Sequence, residues 1–204
     1  METLQDHVTL SAYELQKRLT DDMVTLVKEL LQYLLQTASG MAFILSQGFS
    51  HPSLSIANIL LTNDKNCKLF DFCLRKDALC FLESIKTKKS VYTSVYERSE
   101  FQGLEEYTTA TDVWLTAYAI WQIFSQGALP IAYGSDHDDV SDVFPKPELC
   151  PQIIYIAMAR CWSLPKSNRP DIEELSSKLT KHAIGPHLTD DGLKQWVECI
   201  CISL

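Results

Sequence analysis

Positive charge and paired cysteines are both scarce in this sequence. The 204 residues contain 18 Lys and Arg against 26 Asp and Glu, which gives a formal net charge of −8 at pH 7. Nucleic-acid backbones bind clustered Lys and Arg, so this balance argues against a nucleic-acid partner. The seven cysteines form no C-x-x-C pair and no Cys/His ligand spacing. We therefore expect no zinc site.

Targeting and membrane-spanning segments are lacking as well. No signal peptide is recognisable, and scattered cysteines without one are typical of reduced thiols. The most apolar stretch, residues 23–45, is interrupted by Lys28 and Glu29 and is better read as a buried amphipathic helix than as a membrane span. We therefore predict a cytoplasmic location without membrane association.

The C-terminal tail carries one weak sign of a membrane anchor. The last four residues, Cys201 to Leu204, loosely fit C-a-a-X, which makes Cys201 a candidate for lipidation. Ser203 is a poor aliphatic residue and no polybasic run precedes it, so anchoring is the weaker interpretation. In the same tail, one helical face carries five apolar residues and predicts a short helix that packs back on the rest of the domain; they are Leu193, Trp196, Val197, Ile200 and Cys201.

Apolar periodicity predicts a mainly α-helical fold with a small β hairpin. Apolar residues at three- and four-residue steps predict a long helix from Met23, closed by Gly48. A second apolar helix begins near Thr111. The full set of predicted elements is helices at 23–45, 111–127, 151–162 and 170–181, β segments at 59–62 and 67–70, and a polar loop from 75 to about 109. The corresponding domain division is an N-terminal segment at 1–22, a helical lobe at 23–181 and a tail at 182–204.

The segment His51–Asn58 carries the most specific pattern in the chain. Together with Asp71–Cys73, which reads D-F-C, it has the frame of the protein-kinase catalytic loop, H-R-D-L-x-x-x-N, and of its D-F-G partner. Pro52 stands in the place of the Arg, and Ser53 in the place of the Asp that accepts the substrate hydroxyl proton. A Ser hydroxyl is neutral and a poor proton acceptor, so it cannot act as the general base.

Further motifs in the same order resemble the C-terminal lobe of a tyrosine-kinase-like protein kinase. Asp112 opens a D-V-W tripeptide, and Arg169 lies in an N-R-P tripeptide after a C-W pair. The resemblance implies that Asp112 holds the backbone of the catalytic loop. It also places Glu100 at the Glu of the family's A-P-E motif, paired with Arg169, with Glu97 as a second candidate.

The resemblance also implies which parts of a kinase this sequence lacks. The family holds ATP with a Gly-rich loop, a strand Lys and a helix Glu, all in the N-terminal lobe. None of the seven glycines forms a G-x-G, and the residues before the catalytic-type loop read as helix. We therefore expect the N-terminal lobe to be absent and no cofactor to be bound, with weak MgATP binding as the alternative.

Asn58 and Asp71 keep the two positions that hold Mg²⁺ in the family. They could hold Mg²⁺ on a nucleotide, but Mg²⁺ prefers substrate phosphates among its ligands, and these have no binding site here. We therefore favour structural roles, with Asn58 supporting the loop backbone and Asp71 capping nearby amides, and expect no metal. His51 is expected to pack or hydrogen-bond in the core.

Tyr92 and Tyr96 lie where tyrosine kinases are phosphorylated. The loop that carries them also contains several lysines, and both tyrosines are candidate substrates of another kinase. The alternative is a solvated loop in which the tyrosines are incidental.

These observations favour a catalytically inactive, pseudokinase-like signalling module that acts through protein–protein interaction. The expected partner is a protein, such as another kinase or a signalling protein. The expected surfaces are the acidic stretch 134–148 and the apolar face that an N-terminal lobe would cover. The alternative is a truncated product of a protein kinase gene with residual ATP binding or kinase activity.

Overall fold

The computed structural model describes residues 2–3, 20–87, 106–130, 140–184, 189, 191–193 and 197, and helices dominate this part of the chain. The helices are α1 (Thr20–Ser46), α2 (Ala78–Thr87), α3 (Thr109–Phe124), α4 (Val140–Val143), α5 (Gln152–Cys161) and α6 (Ile172–Ala183). The strands are β1 (Glu2–Thr3), β2 (Phe49–Ser50), β3 (Ile59–Leu61), β4 (Cys67–Leu69) and β5 (Cys73–Leu74). The prediction of a mainly α-helical fold with a small hairpin is confirmed.

Helix α3 forms the centre of the core. Every residue from Thr111 to Phe124 is buried, because the sequence of this helix is apolar on nearly all sides and must be surrounded. Helix α1 packs against α3 and α6, and α5 packs against α3 and α6. The long helix α1 ends just before Gly48, which adopts a left-handed conformation with φ 82°.

An aromatic cluster joins α3 to the C-terminal helices. Phe144 is stacked on Trp162, with ring centroids 4.3 Å apart, and receives the edges of Trp114 and Trp121 at 5.6 and 5.5 Å. The indole N–H of Trp121 donates to the Pro145 carbonyl at 2.8 Å, which fixes the backbone beside Phe144. This cluster is the densest aromatic packing among the described residues.

Two small antiparallel sheets flank the catalytic-type loop. The first has the order β1-β3-β4, with Leu60 of β3 opposite Thr3 on one side and Lys68 on the other. The second pairs β2 with β5, so that Phe49 lies opposite Leu74. These short pairings fix where the loop begins and ends.

Helix α1 holds the hairpin formed by β3 and β4 in place. The Gln36 side-chain oxygen accepts the Cys67 N–H at 2.6 Å, at the first residue of β4. In the turn of the hairpin, Lys65 forms a salt bridge with Glu29 of α1. The hairpin is therefore attached to the helical body at both its turn and its second strand.

Helix α2 corrects the prediction of a polar loop from 75 to about 109. The chain turns at Arg75–Asp77 and then forms a ten-residue helix with Ala78 and Leu82 fully buried. These two residues are four apart and define a buried face at helical spacing, which is hard to see in the sequence among the surrounding polar residues.

Strands β1, β2 and β5 were also not predicted. In the tail, Leu193 and Val197 are buried, in line with the packing expected there.

Candidate functional site

Two side chains of helix α3 hold the backbone of the catalytic-type loop, His51–Asn58. The Asp112 carboxylate accepts the His51 N–H at 2.8 Å, and the Gln122 side-chain oxygen accepts the Ile56 N–H at 3.2 Å. Both α3 residues are buried. Because a buried N–H without an acceptor is costly, these two contacts set the loop on the central helix at both ends.

Asp112 is an ionisable group inside the core. Its Oδ1 also accepts the Tyr107 hydroxyl at 2.7 Å, while Oδ2 has no hydrogen-bond partner among the described residues. Burial raises the pKa of Asp112 to about 6, and the hydrogen bonds from His51 and Tyr107 offset only part of this effect. Asp112 therefore anchors the loop, although ionising its buried carboxylate costs free energy.

His51 is fully buried at the start of the same loop. Burial lowers the pKa of its imidazole to about 4, so the ring is neutral at physiological pH. Neither ring nitrogen meets a partner at full hydrogen-bond geometry within the described residues, although the Phe70 backbone lies close enough to raise the pKa slightly. His51 acts through its backbone and its packing.

Ser53, which the sequence motif places at the position of a kinase's catalytic Asp, contacts Asp71. Its hydroxyl donates to the Asp71 Oδ2 and to the Asp71 carbonyl, each at 3.4 Å. The Asn58 side-chain amide donates to the Ser53 carbonyl at 2.7 Å, which closes the loop on itself. Asp71 adopts φ 66°, a left-handed conformation that disfavours most side chains. The structure therefore brings Ser53, Asn58 and Asp71 together, with Pro52 buried beside them.

The chemistry available at this site is limited by what Ser53 offers. The two metal-type positions supply the Asp71 carboxylate and the Asn58 amide oxygen, which are oxygen ligands of the kind that Mg²⁺ takes. Within the described residues, no group of three His, Cys, Asp or Glu side chains could enclose a metal ion. The Ser53 hydroxyl cannot accept a proton as a carboxylate does.

Exposed apolar side chains follow directly after the site. Phe70, Phe72 and Leu74 expose 36%, 41% and 44% of their surface, and we refer to this segment as the apolar stretch Phe70–Leu74. Phe72 lies edge-on to Phe49, with ring centroids 5.4 Å apart. Exposed apolar side chains this close together in sequence make the stretch a candidate interaction surface.

Arg169 lies away from the loop and is buried. Its Nε donates to the Ser163 carbonyl at 3.0 Å, and its Nη1 donates to the Ala110 carbonyl at 3.1 Å. These bonds connect the segment after α5 to the first turn of α3. The other predicted site residues lie outside the described residues, namely Glu97, Glu100, Tyr92, Tyr96 and Cys201.

Gln122 and Tyr107 are site residues that were not picked out from the sequence. Gln122 is a polar residue in an otherwise apolar helix, and a buried polar side chain must find a hydrogen-bond partner, so this was a readable signal. Tyr107 had no such signal, because its contact with Asp112 depends on the turn into α3.

No described helix is long and apolar enough to cross a bilayer.

Comparison with known proteins gives consistent similarities. Residues 4–179 match the family described as protein tyrosine and serine/threonine kinase. The chain is 30% identical over 173 residues to mouse Protein-tyrosine kinase 6, covering 79% of the chain and 36% of that protein. It is 32% identical over 177 residues to Platelet-derived growth factor receptor alpha of Takifugu rubripes, covering 81% of the chain and 16% of the receptor. The chain thus spans about a third or less of the length of these relatives.

Proposed function

This chain belongs to the protein tyrosine and serine/threonine kinase family, and from that premise we propose that it is a catalytically inactive, tyrosine-kinase-like module that acts by binding a protein partner. The observation that carries the proposal is Ser53. It occupies the position of the proton-accepting Asp, and its hydroxyl is directed at Asp71. The Ser53 hydroxyl is neutral and much less basic than a carboxylate, so it cannot take a proton from a substrate hydroxyl as the Asp would.

The neighbouring positions support the same proposal. Pro52 replaces an Arg, so the guanidinium that would bind a phosphorylated loop is missing. Cys73 replaces the Gly that follows the Asp-Phe pair, which restricts the backbone there. Phosphoryl transfer depends almost entirely on positioning and charge stabilisation, and neither is supplied by these residues.

The partner is a protein, such as another kinase or a signalling protein, and the proposed location is the cytoplasm. The apolar stretch Phe70–Leu74 supports a protein partner, because its exposed side chains are of the kind that interfaces bury. The acidic stretch 134–148 is the second proposed surface. The formal net charge of −8 makes a nucleic-acid partner unfavourable.

Radiolabel transfer tests the lack of activity. The 204-residue chain is incubated with labelled MgATP and a tyrosine-containing polymer, and we expect no incorporation above a blank. The Asp71→Ala variant serves as the control, because label from a contaminating kinase would be unchanged in it. Incorporation that is present in the unmodified chain and lost in Asp71→Ala would refute the proposal.

Residual MgATP binding is the second candidate function, and one observation favours it. The Asp71 carboxylate is exposed and its bond from Ser53 is long, at 3.4 Å, so a cation would displace little. A ligand that binds the native state raises the melting temperature, so the melting temperature at millimolar MgATP separates the two candidates. We expect no rise. A reproducible rise that is lost in Asp71→Ala would favour nucleotide binding.

Proximity labelling in cells tests the protein partner. Phe72→Asp combined with Leu74→Asp places charge on the apolar stretch, and Phe43→Asp is the matched control because Phe43 is 65% exposed on α1. We expect a set of labelled proteins to be lost from the double variant and kept in the control. Equal labelling by all three chains would argue against the apolar stretch as the interface.

A further inference from the structure

One oxygen of the buried Asp112 carboxylate lacks a hydrogen-bond donor among the described residues. Oδ1 accepts both the His51 N–H and the Tyr107 hydroxyl, whereas Oδ2 accepts neither. The Ser50 hydroxyl lies close enough to favour the charged form of Asp112, but it does not meet full hydrogen-bond geometry. An unpaired carboxylate oxygen in the interior carries a desolvation penalty.

Pro52 follows His51 in the loop and cannot supply a second backbone donor. The His51 N–H reaches Asp112, and the next nitrogen along the backbone belongs to Pro52, which has no hydrogen to donate. Pro52 is itself buried. Any residue other than proline at this position would carry an N–H next to that of His51.

We propose that Pro52 leaves Asp112 Oδ2 without a second backbone donor, so that the two residues form a proton-sensitive latch beneath the catalytic-type loop: a proton on Oδ2 stabilises the fold, and loss of that proton destabilises it. The proton removes the buried charge and turns Oδ2 into a donor, for which the Ser50 hydroxyl is the nearby acceptor. The bonds from His51 and Tyr107 to Oδ1 are kept in both states. The latch therefore needs no movement of the helix α3 backbone.

The groups that face Asp112 set the pH at which the latch works. Burial raises the pKa of Asp112 to about 6, while the His51 N–H, Tyr107 and the Arg75 guanidinium lower it. Among the described residues, two further titratable groups lie near Asp112: the His51 imidazole, which burial keeps neutral with a pKa of about 4, and the Cys73 thiol, which burial keeps protonated with a pKa of about 11. Because the native pKa lies above the ordinary Asp value, the stabilising effect of the proton is complete below about pH 4 and is lost as the pH rises through 6.

Pro52→Ala in the 204-residue chain tests the latch, because alanine restores the backbone N–H. A hydrogen bond to the charged form should lower the Asp112 pKa by about one pH unit, measured from the carboxyl ¹³C shift during a titration. We subtract the melting temperature of the unmodified chain from that of the variant. This difference should be about 2–4 °C higher at pH 7.5 than at pH 4.5. Replacing proline also makes the unfolded chain more flexible, which lowers the melting temperature. This effect is the same at both pH values, so it cancels in the comparison.

Pro147→Ala is the matched control, because Pro147 is buried and distant in sequence from the loop. Its change in melting temperature should be the same at both pH values. In an Asp112→Asn background, Pro52→Ala should lose its pH-dependent effect. If Asp112→Asn does not fold, Tyr107→Phe replaces it and should raise the Asp112 pKa further. An unchanged Asp112 pKa in Pro52→Ala, or a pH-dependent effect that persists in Asp112→Asn, would overturn the proposal.

Discussion

His51 and Asp112 are in contact at the start of the catalytic-type loop, and burial shifts their pKa values in opposite directions. The pKa of His51 falls to about 4, and that of Asp112 rises to about 6. The neutral His51 stabilises the fold fully above about pH 6.5, and this effect is lost as the pH falls through 4. For Asp112 the proton stabilises the fold below about pH 4, and this effect is lost as the pH rises through 6.

The two residues should therefore compensate each other between pH 4 and 6. In Asp112→Asn, the His51 effect alone remains, so the free energy of unfolding should fall by about 2–3 kcal/mol from pH 6.5 to 4 relative to the unmodified chain. In His51→Gln, the free energy of unfolding relative to the unmodified chain should rise by a similar amount as the pH falls from 6 to 4. Urea unfolding at a series of pH values measures both. Parallel pH profiles for the three chains would contradict the compensation.

At the scale of single elements, the catalytic-type loop depends on a side chain of another element. Gln122 of α3 accepts the buried Ile56 N–H, so Gln122→Ala leaves that N–H without its acceptor. We expect a loss of about 1–3 kcal/mol in the free energy of unfolding, measured with urea. Gln32→Ala is the control, because Gln32 is exposed on α1 and should change stability by less than about 0.5 kcal/mol. Equal losses of unfolding free energy in the two variants would mean that the change in helix propensity, and not the contact with the loop, causes the effect.

The main helices and the hairpin could be predicted from the sequence because their apolar residues are periodic. Helices α1, α3, α5 and α6 lie within a few residues of their predicted bounds, and so do β3 and β4. Strands β1, β2 and β5 have two residues each, too few for a period to be read. Their existence depends on partners that are distant in sequence, as in the pairing of Glu2 with Leu61.

The motif named only part of the candidate site, since Gln122 and Tyr107 were missed, and it predicted only some of the side-chain bonds of the loop. The spacing of His51, Ser53 and Asn58 followed from the motif, since each has a fixed position in the loop. The bond from Ser53 to Asp71 depends on the left-handed backbone at Asp71, which nothing in the local sequence requires. The unpaired oxygen of Asp112 likewise depends on the tertiary arrangement of α3 and the loop that begins at His51.

At the scale of the whole molecule, Arg169 joins segments far apart in sequence. It is buried and donates to the Ser163 and Ala110 carbonyls, so Arg169→Ala should cost about 3–5 kcal/mol. The predicted pair with Glu100 is tested by a double-mutant cycle measured by urea unfolding. Glu100→Ala should be comparably destabilising, and the double variant should lose less than the sum.

Glu97→Ala is the control for this cycle and should be nearly neutral. It separates the two placements of the loop, because only the glutamate that pairs with Arg169 should couple to it. Strict additivity between Glu100 and Arg169, or a large effect at Glu97 with none at Glu100, would show that Glu100 is not the partner of Arg169.

The aromatic cluster around Phe144 should contribute strongly to overall stability. Phe144 is 1% exposed and touches three tryptophan rings, so Phe144→Ala removes a large buried side chain from a dense site. We expect a loss of about 3–5 kcal/mol, measured by urea unfolding. Phe43→Ala, at a side chain that is 65% exposed, should change stability by less than about 0.5 kcal/mol.

The position of these tryptophans has an optical consequence. Trp114, Trp121 and Trp162 all surround Phe144, whereas the catalytic-type loop, the hairpin and the apolar stretch contain no tryptophan. Indole emission moves to longer wavelength when water reaches the ring, so the emission of these three tryptophans reports the opening of the helical core. In a Trp196→Phe variant, which keeps only these three of the four tryptophans, a local opening of the loop would leave the emission spectrum unchanged. The two kinds of motion can therefore be told apart by a spectrometer without attaching any dye.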